Sequence, residues 1–134
     1  MLKRIILPLA LASVLTGGVA TASDRHINTE LQPVGNSGVS GTVHLTALPK
    51  GGTLITVVAR GLQPGTGYLS LYYDNGTCDL EPYSDDDVIG RYTAGSDGTA
   101  TVTNKLGDDL DEIHSVSVRL ASDFSLQACA AVHP

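Results

Sequence analysis

Short runs in which apolar and polar residues alternate, each closed by a turn rich in glycine, proline or aspartate, constrain this chain more than any other feature. Val39, Gly41, Val43 and Leu45 alternate with Ser40, Thr42, His44 and Thr46, the period-two pattern of a strand with one buried face. Pro49-Lys50-Gly51-Gly52 is a turn, and Thr53–Arg60 is a β-branched run able to form a hairpin with the first. After the glycine-rich reversal at 61–67, residues 68–73 make a third strand, stopped by Asp74-Asn75-Gly76. Segments 88–92, 99–104, 113–120 and 125–132 complete the series, separated by the Ser96-Asp97-Gly98 turn and by acidic connections at 79–87 and 107–112. Seven or so short strands without an amphipathic helix predict an all-β fold, a Greek-key antiparallel β-sandwich or flattened barrel. A parallel sheet would need crossover helices, and the sequence offers none.

The N-terminus reads differently. Lys3 and Arg4 precede an apolar stretch at 5–15, and Ala20-Thr21-Ala22 supplies small residues around a cleavage point, the layout of an export signal over residues 1–22. The apolar stretch falls short of the roughly 18 residues a spanning helix needs. A secreted or periplasmic protein, cleaved near Ala22 and not inserted in a membrane, is the expectation. Residues 23–37, with Pro33 and Gly35, show no sustained period and read as a flexible leader, so the domain is expected over 38–134. Loss of Lys3 and Arg4 leaves six basic residues against fourteen acidic ones, a formal charge of −8 rather than −6. Such a balance disfavours nucleic acid and anionic membrane surfaces as partners.

Both cysteines, Cys78 and Cys129, lie beyond the signal, where an oxidising compartment lets two thiols pair. Closing a loop of 51 positions is worth about 4 kcal/mol in the chain-entropy account. For a small domain with one Phe and no Trp, that is a large share of the total stability.

Gly41-Thr42-Val43-His44-Leu45, Gly61-Leu62-Gln63-Pro64-Gly65, Gly67-Tyr68, Asn75-Gly76-Thr77-Cys78, Ile89-Gly90, Ser96-Asp97-Gly98 and Ala128-Cys129-Ala130 follow one another in an order and approximate spacing that resembles the copper/zinc superoxide dismutases. The resemblance runs from about residue 38 to 132. In that family a cysteine in the loop after the metal-binding strand bonds one near the C-terminus, which implies Cys78 with Cys129. It also implies histidine ligands, and here the sequence departs. The two histidines of the metal strand fall on Leu69 and Leu71, and the zinc loop shrinks to 79–88 without a histidine. The last copper histidine falls near Val118 or Arg119, the superoxide-guiding arginine falls on Leu126, and the electrostatic loop is cut to about 121–126.

Copper redox chemistry needs several imidazoles on one ion with an open position. His26, His44, His114 and His133 form no H-x-H or H-x-x-x-H pair. The expectation is therefore a dismutase-like frame without catalytic residues or a cofactor, acting as a binding or structural module. The alternative is a copper- or zinc-binding protein, or a divergent dismutase, with His44 and His114 as weak candidate ligands.

Asp79, Glu81, Asp85, Asp86 and Asp87, and likewise Asp108, Asp109, Asp111 and Glu112, read as solvated loops in preference to calcium sites, since EF-hand spacing is missing. Asn75-Gly76-Thr77 fits the glycosylation sequon and equally a turn, the preferred reading. No Gly-x-Ser-x-Gly nucleophile motif occurs. Tyr68, Tyr72 and Tyr73 make the 68–73 strand a candidate contact for a protein partner or a second copy, with ordinary core and rim packing the preferred reading. Its register stays open, because burial preference sends Leu69 and Leu71 inward whereas the resemblance sends Tyr68 and Ser70 inward. In the second case the leucines form an apolar patch that the 79–88 loop or a partner subunit must cover.

Overall fold

The structure, a computed structural model, describes residues 25–133. The export signal expected over 1–22 lies outside the described residues. Eight strands follow in order: β1 (His26–Pro33), β2 (Ser40–Ala47), β3 (Thr53–Arg60), β4 (Gly67–Tyr73), β5 (Val88–Thr93), β6 (Ala100–Leu106), β7 (Ser115–Leu120) and β8 (Leu126–Ala131). They hydrogen-bond in the order β5-β4-β7-β8-β1-β2-β3-β6, and every pair is antiparallel. The sheet folds over into a nearly closed sandwich, so the all-β antiparallel expectation holds. The chain leaves β3 for β4 in the other half, and returns from β5 to β6, which pairs with β3. That return is a Greek-key connection.

One expectation needs correcting. Residues 23–37 are not simply a leader, because His26–Pro33 is a strand that joins the two halves of the sheet. Its first six residues pair with β2, and Gln32 and Pro33 pair with Cys129 and Ala128 of β8. The alternation was present as Ile27, Thr29 and Leu31 against His26, Asn28 and Glu30, with burial rising along the first set to a fully buried Leu31. Its small apolar content and Pro33 hid it; proline is tolerated here at the strand's end.

The core between the halves holds Leu31, Val43, Leu45, Ile55, Val57, Ile89, Ile113, Val116 and Val118, all essentially inaccessible. At the seam, β5 and β6 are the two ends of the ladder and lie in contact. There the Asn104 side-chain amide donates to the Ile89 carbonyl at 3.0 Å. Gly90 lets the strands close, since a Cβ at that position would strike Cγ2 of Val102.

If β1 belongs to the core, Leu31→Ala should cost about 2–4 kcal/mol, the usual range for a buried leucine. Urea denaturation of the two proteins measures it, and a change within experimental error would return the segment to a leader.

Candidate functional site

The outer face of β4 is the face to which the resemblance gives the metal. β4 is flanked by β5 and β7, so both its edges are paired, and period two divides its side chains between two compartments. Tyr68 and Tyr72 join the main core. Ser70 is buried on that side too, its Oγ 2.7 Å from the Tyr92 hydroxyl. Leu69, Leu71 and Tyr73 point the other way into a second, smaller core with Cys78, packed by Val88, Phe124, Leu126 and Cys129. Leu69 and Leu71 are 0% and 1% exposed. The leucines thus lie on the outer face, and the chain's own loops cover them.

Two segments make the cover, the β4–β5 connection and the β7–β8 hairpin. Cys78 of the first is bonded to Cys129 of β8, with Cα atoms 6.1 Å apart. The Tyr83 and Phe124 rings meet across the segments at 5.8 Å between centroids. Asn75 shapes the first segment as the turn reading predicted. Its Oδ1 accepts from the Thr77 and Asp79 amides, and its Nδ2 donates to the Asp79 carbonyl and to Glu81 Oε1.

Arg119 is the group at the centre. Sequence alternation places it with Ser115 and Ser117 on an apparently polar face of β7, yet all three are buried, opposite Leu69, Leu71 and Tyr73 of β4. The Arg119 guanidinium donates to the Tyr73 hydroxyl (2.9 Å), the Phe124 carbonyl (2.6 Å) and the Cys78 carbonyl (2.8 Å). Tyr73 Oη in turn lies 2.7 Å from Ser117 Oγ. Among the described residues, Cys78 and Phe124 are the two non-glycine residues with positive φ, at 58° and 63°, a backbone region costing roughly 1–2 kcal/mol for an L-residue. The carbonyls of both strained residues are the ones Arg119 binds. Among the described residues the ion pair formed is Arg25 with Asp111, at 2.6 Å, so the Arg119 cation is met by carbonyl dipoles and a phenol.

This face does not fit copper or zinc. Leu69 and Leu71 offer no donor, both sulfurs are committed to the disulfide, and a buried guanidinium repels a cation. Among the described residues no three His, Cys, Asp or Glu side chains converge as metal ligands. His44 is elsewhere, its Nδ1 2.6 Å from Asn28 Oδ1, and His114 meets His133 edge to face.

The acidic loops also have structural employment. Asp85–Asp87 form a 3-10 turn capped by Ser84, whose hydroxyl accepts from the Asp86 amide. Asp109 Oδ1 accepts from the Gly52 amide, and Glu112 Oε1 from the Asp109 amide. Between the loops lies a cleft of about 220 Å³ lined by Tyr72, Tyr83, Asp74, Glu81, Asp87 and Asp108. Burial, and then the Glu112 and Asp87 carboxylates, push the Asp108 carboxyl up, as expected where negative charge is crowded.

Tyr68, Tyr72 and Tyr73 are buried, and their strand has no free edge. Tyr83, 40% exposed, is the aromatic at the surface. No protein-family model matches this chain, and no curated protein matches its sequence.

Two measurements follow from the geometry. Arg119→Ala leaves the Cys78 and Phe124 carbonyls without their donor and should cost about 1–3 kcal/mol for each, and Arg119→Lys should recover only part, since an ammonium carries its three donors on one nitrogen whereas these acceptors are met by three separate guanidinium nitrogens; chemical denaturation ranks the three proteins. Burial, with the Asp108 and Asp87 carboxylates adding to it, pushes the Tyr72 hydroxyl up to about 12. Burial does the same for Tyr92, against the opposing pull of its hydrogen bond to Ser70. The fold holds these phenols protonated more tightly than the unfolded chain, so stability is complete below pH 10 and falls as pH rises towards 12. Absorbance titration should find two tyrosines ionising late, and Tyr92→Phe should remove one.

Proposed function

We propose that this chain is an exported, superoxide-dismutase-like β-sandwich that has exchanged its metal site for a second hydrophobic core and serves as a non-catalytic binding or structural module. Three features support the dismutase-like frame. The disulfide joins the loop after β4 to the last strand, as the family pattern implies; Tyr68 and the buried Ser70 lie on the main-core side of β4; and Leu69 and Leu71 lie on the face the family gives to metal. The disulfide fits an oxidising destination, and no helix among the described residues is long and apolar enough to cross a membrane.

The observation that carries the non-catalytic reading is Arg119, a buried cation hydrogen-bonded behind Leu69 and Leu71. Loss of ligands alone would leave a vacant concavity that another metal geometry could reuse. A packed core around a fixed positive charge leaves no such room. The acidic, tyrosine-lined cleft beside it is the concave surface a binding module of this shape presents, and its charge selects cationic partner groups.

Protein loaded with copper and zinc should dismutate superoxide no faster than the same concentration of free copper. Activity well above that level, retained after gel filtration, would overturn the reading.

A further inference from the structure

His114 and His133 lie apart from the β4 face, where the chain enters β7 and leaves β8. The His114 backbone is held from both sides: its amide donates to the Tyr73 carbonyl at 2.8 Å, and its carbonyl accepts from the Val132 amide at 2.9 Å. His133, the next residue after Val132, sets its Nε2 3.0 Å from the Leu110 carbonyl. A carbonyl oxygen only accepts, so Nε2 carries the proton and Nδ1 of the neutral ring keeps its lone pair. The two imidazoles stand 5.4 Å apart between centroids, inclined at 66°.

Two features of this pair suit a metal ion. Nitrogen ligands sit about 2.0–2.1 Å from zinc, which puts two imidazole centroids on one tetrahedral ion roughly 5 Å apart. The rings already stand near that spacing. In addition, a ligating histidine characteristically gives its other N–H to a backbone carbonyl, which fixes the tautomer and raises the basicity of the free nitrogen. His133 makes that bond to Leu110. The His114 ring forms no hydrogen bond among the described residues, and both side chains are half-buried. The ligand is thus oriented on one side and uncommitted on the other.

We propose that His114 and His133 together hold one divalent transition-metal ion, zinc or copper(II), with water completing its coordination. The site differs from the face that the resemblance gives to metal, and it stands whether or not the chain is dismutase-like. With two protein ligands it provides capture of the ion at the protein surface.

Calorimetric titration of the purified protein with zinc chloride, then with copper(II), tests the assignment. One ion should bind per chain, His114→Gln and His133→Gln should each weaken binding by at least about tenfold, and His44→Gln should leave it unchanged. Circular dichroism checks that each variant folds. Should a variant fail to fold, the parent protein decides alone: its copper(II) electron paramagnetic resonance spectrum should carry couplings from two imidazole nitrogens. Unchanged affinity in both folded variants, loss of binding in His44→Gln, absence of saturable binding, or an oxygen-only copper spectrum would each overturn the proposal.

Discussion

The fork of hydrogen bonds from Arg119 to Tyr73, Phe124 and Cys78 is the interaction on which the outer half of this molecule depends. β7 supplies the guanidinium, β4 the phenol, and the two covering segments one carbonyl each. Hydrogen bonds from a charged donor are worth about 1.5–3 kcal/mol each, enough to offset the left-handed backbone at Cys78 and Phe124. Lysine could not replace it, because the three acceptors are met by three separate nitrogens of a planar head, whereas an ammonium gathers its donors on one nitrogen. Without the fork, the turns that bring Cys78, Phe124 and Leu126 over the leucines would have no reason to persist in those conformations.

From that clamp the rest of the site follows. The cover excludes water from Leu69 and Leu71, and the disulfide ties the same cover to β8 covalently. The result is a sheet buried on both faces, unusual for an antiparallel half-sandwich, in which one face commonly stays solvated. A positive charge sealed beneath apolar side chains is incompatible with a bound cation at that place. The acidic cleft and the histidine pair lie outside this core.

Much of the fold was legible because period two and turn residues are local signals. Thr53–Arg60 lies where its β-branched run puts it, and β4 ends where Asp74-Asn75-Gly76 must turn. β1 was not legible, since two pairing partners distant in sequence supply its order while its own apolar content is slight. The second buried face of β7 was not legible for a related reason. Ser115, Ser117 and Arg119 look solvated in one strand alone, and only their positions opposite Tyr73, Leu71 and Leu69 reveal a buried face. Three small or forked polar residues facing two leucines was the available sign. The nearness of His114 to His133 had no local sign, because it depends on how β7 begins and β8 ends.

The central claim is that the outer face of β4 is a closed, apolar core. Methyl NMR on the folded, oxidised protein tests it directly. The account predicts nuclear Overhauser contacts from the Leu69 and Leu71 methyl groups to Phe124 and Leu126, and protection of those methyls from a soluble paramagnetic agent. Methyl signals broadened by the agent, with no contact to Phe124 or Leu126, would contradict it.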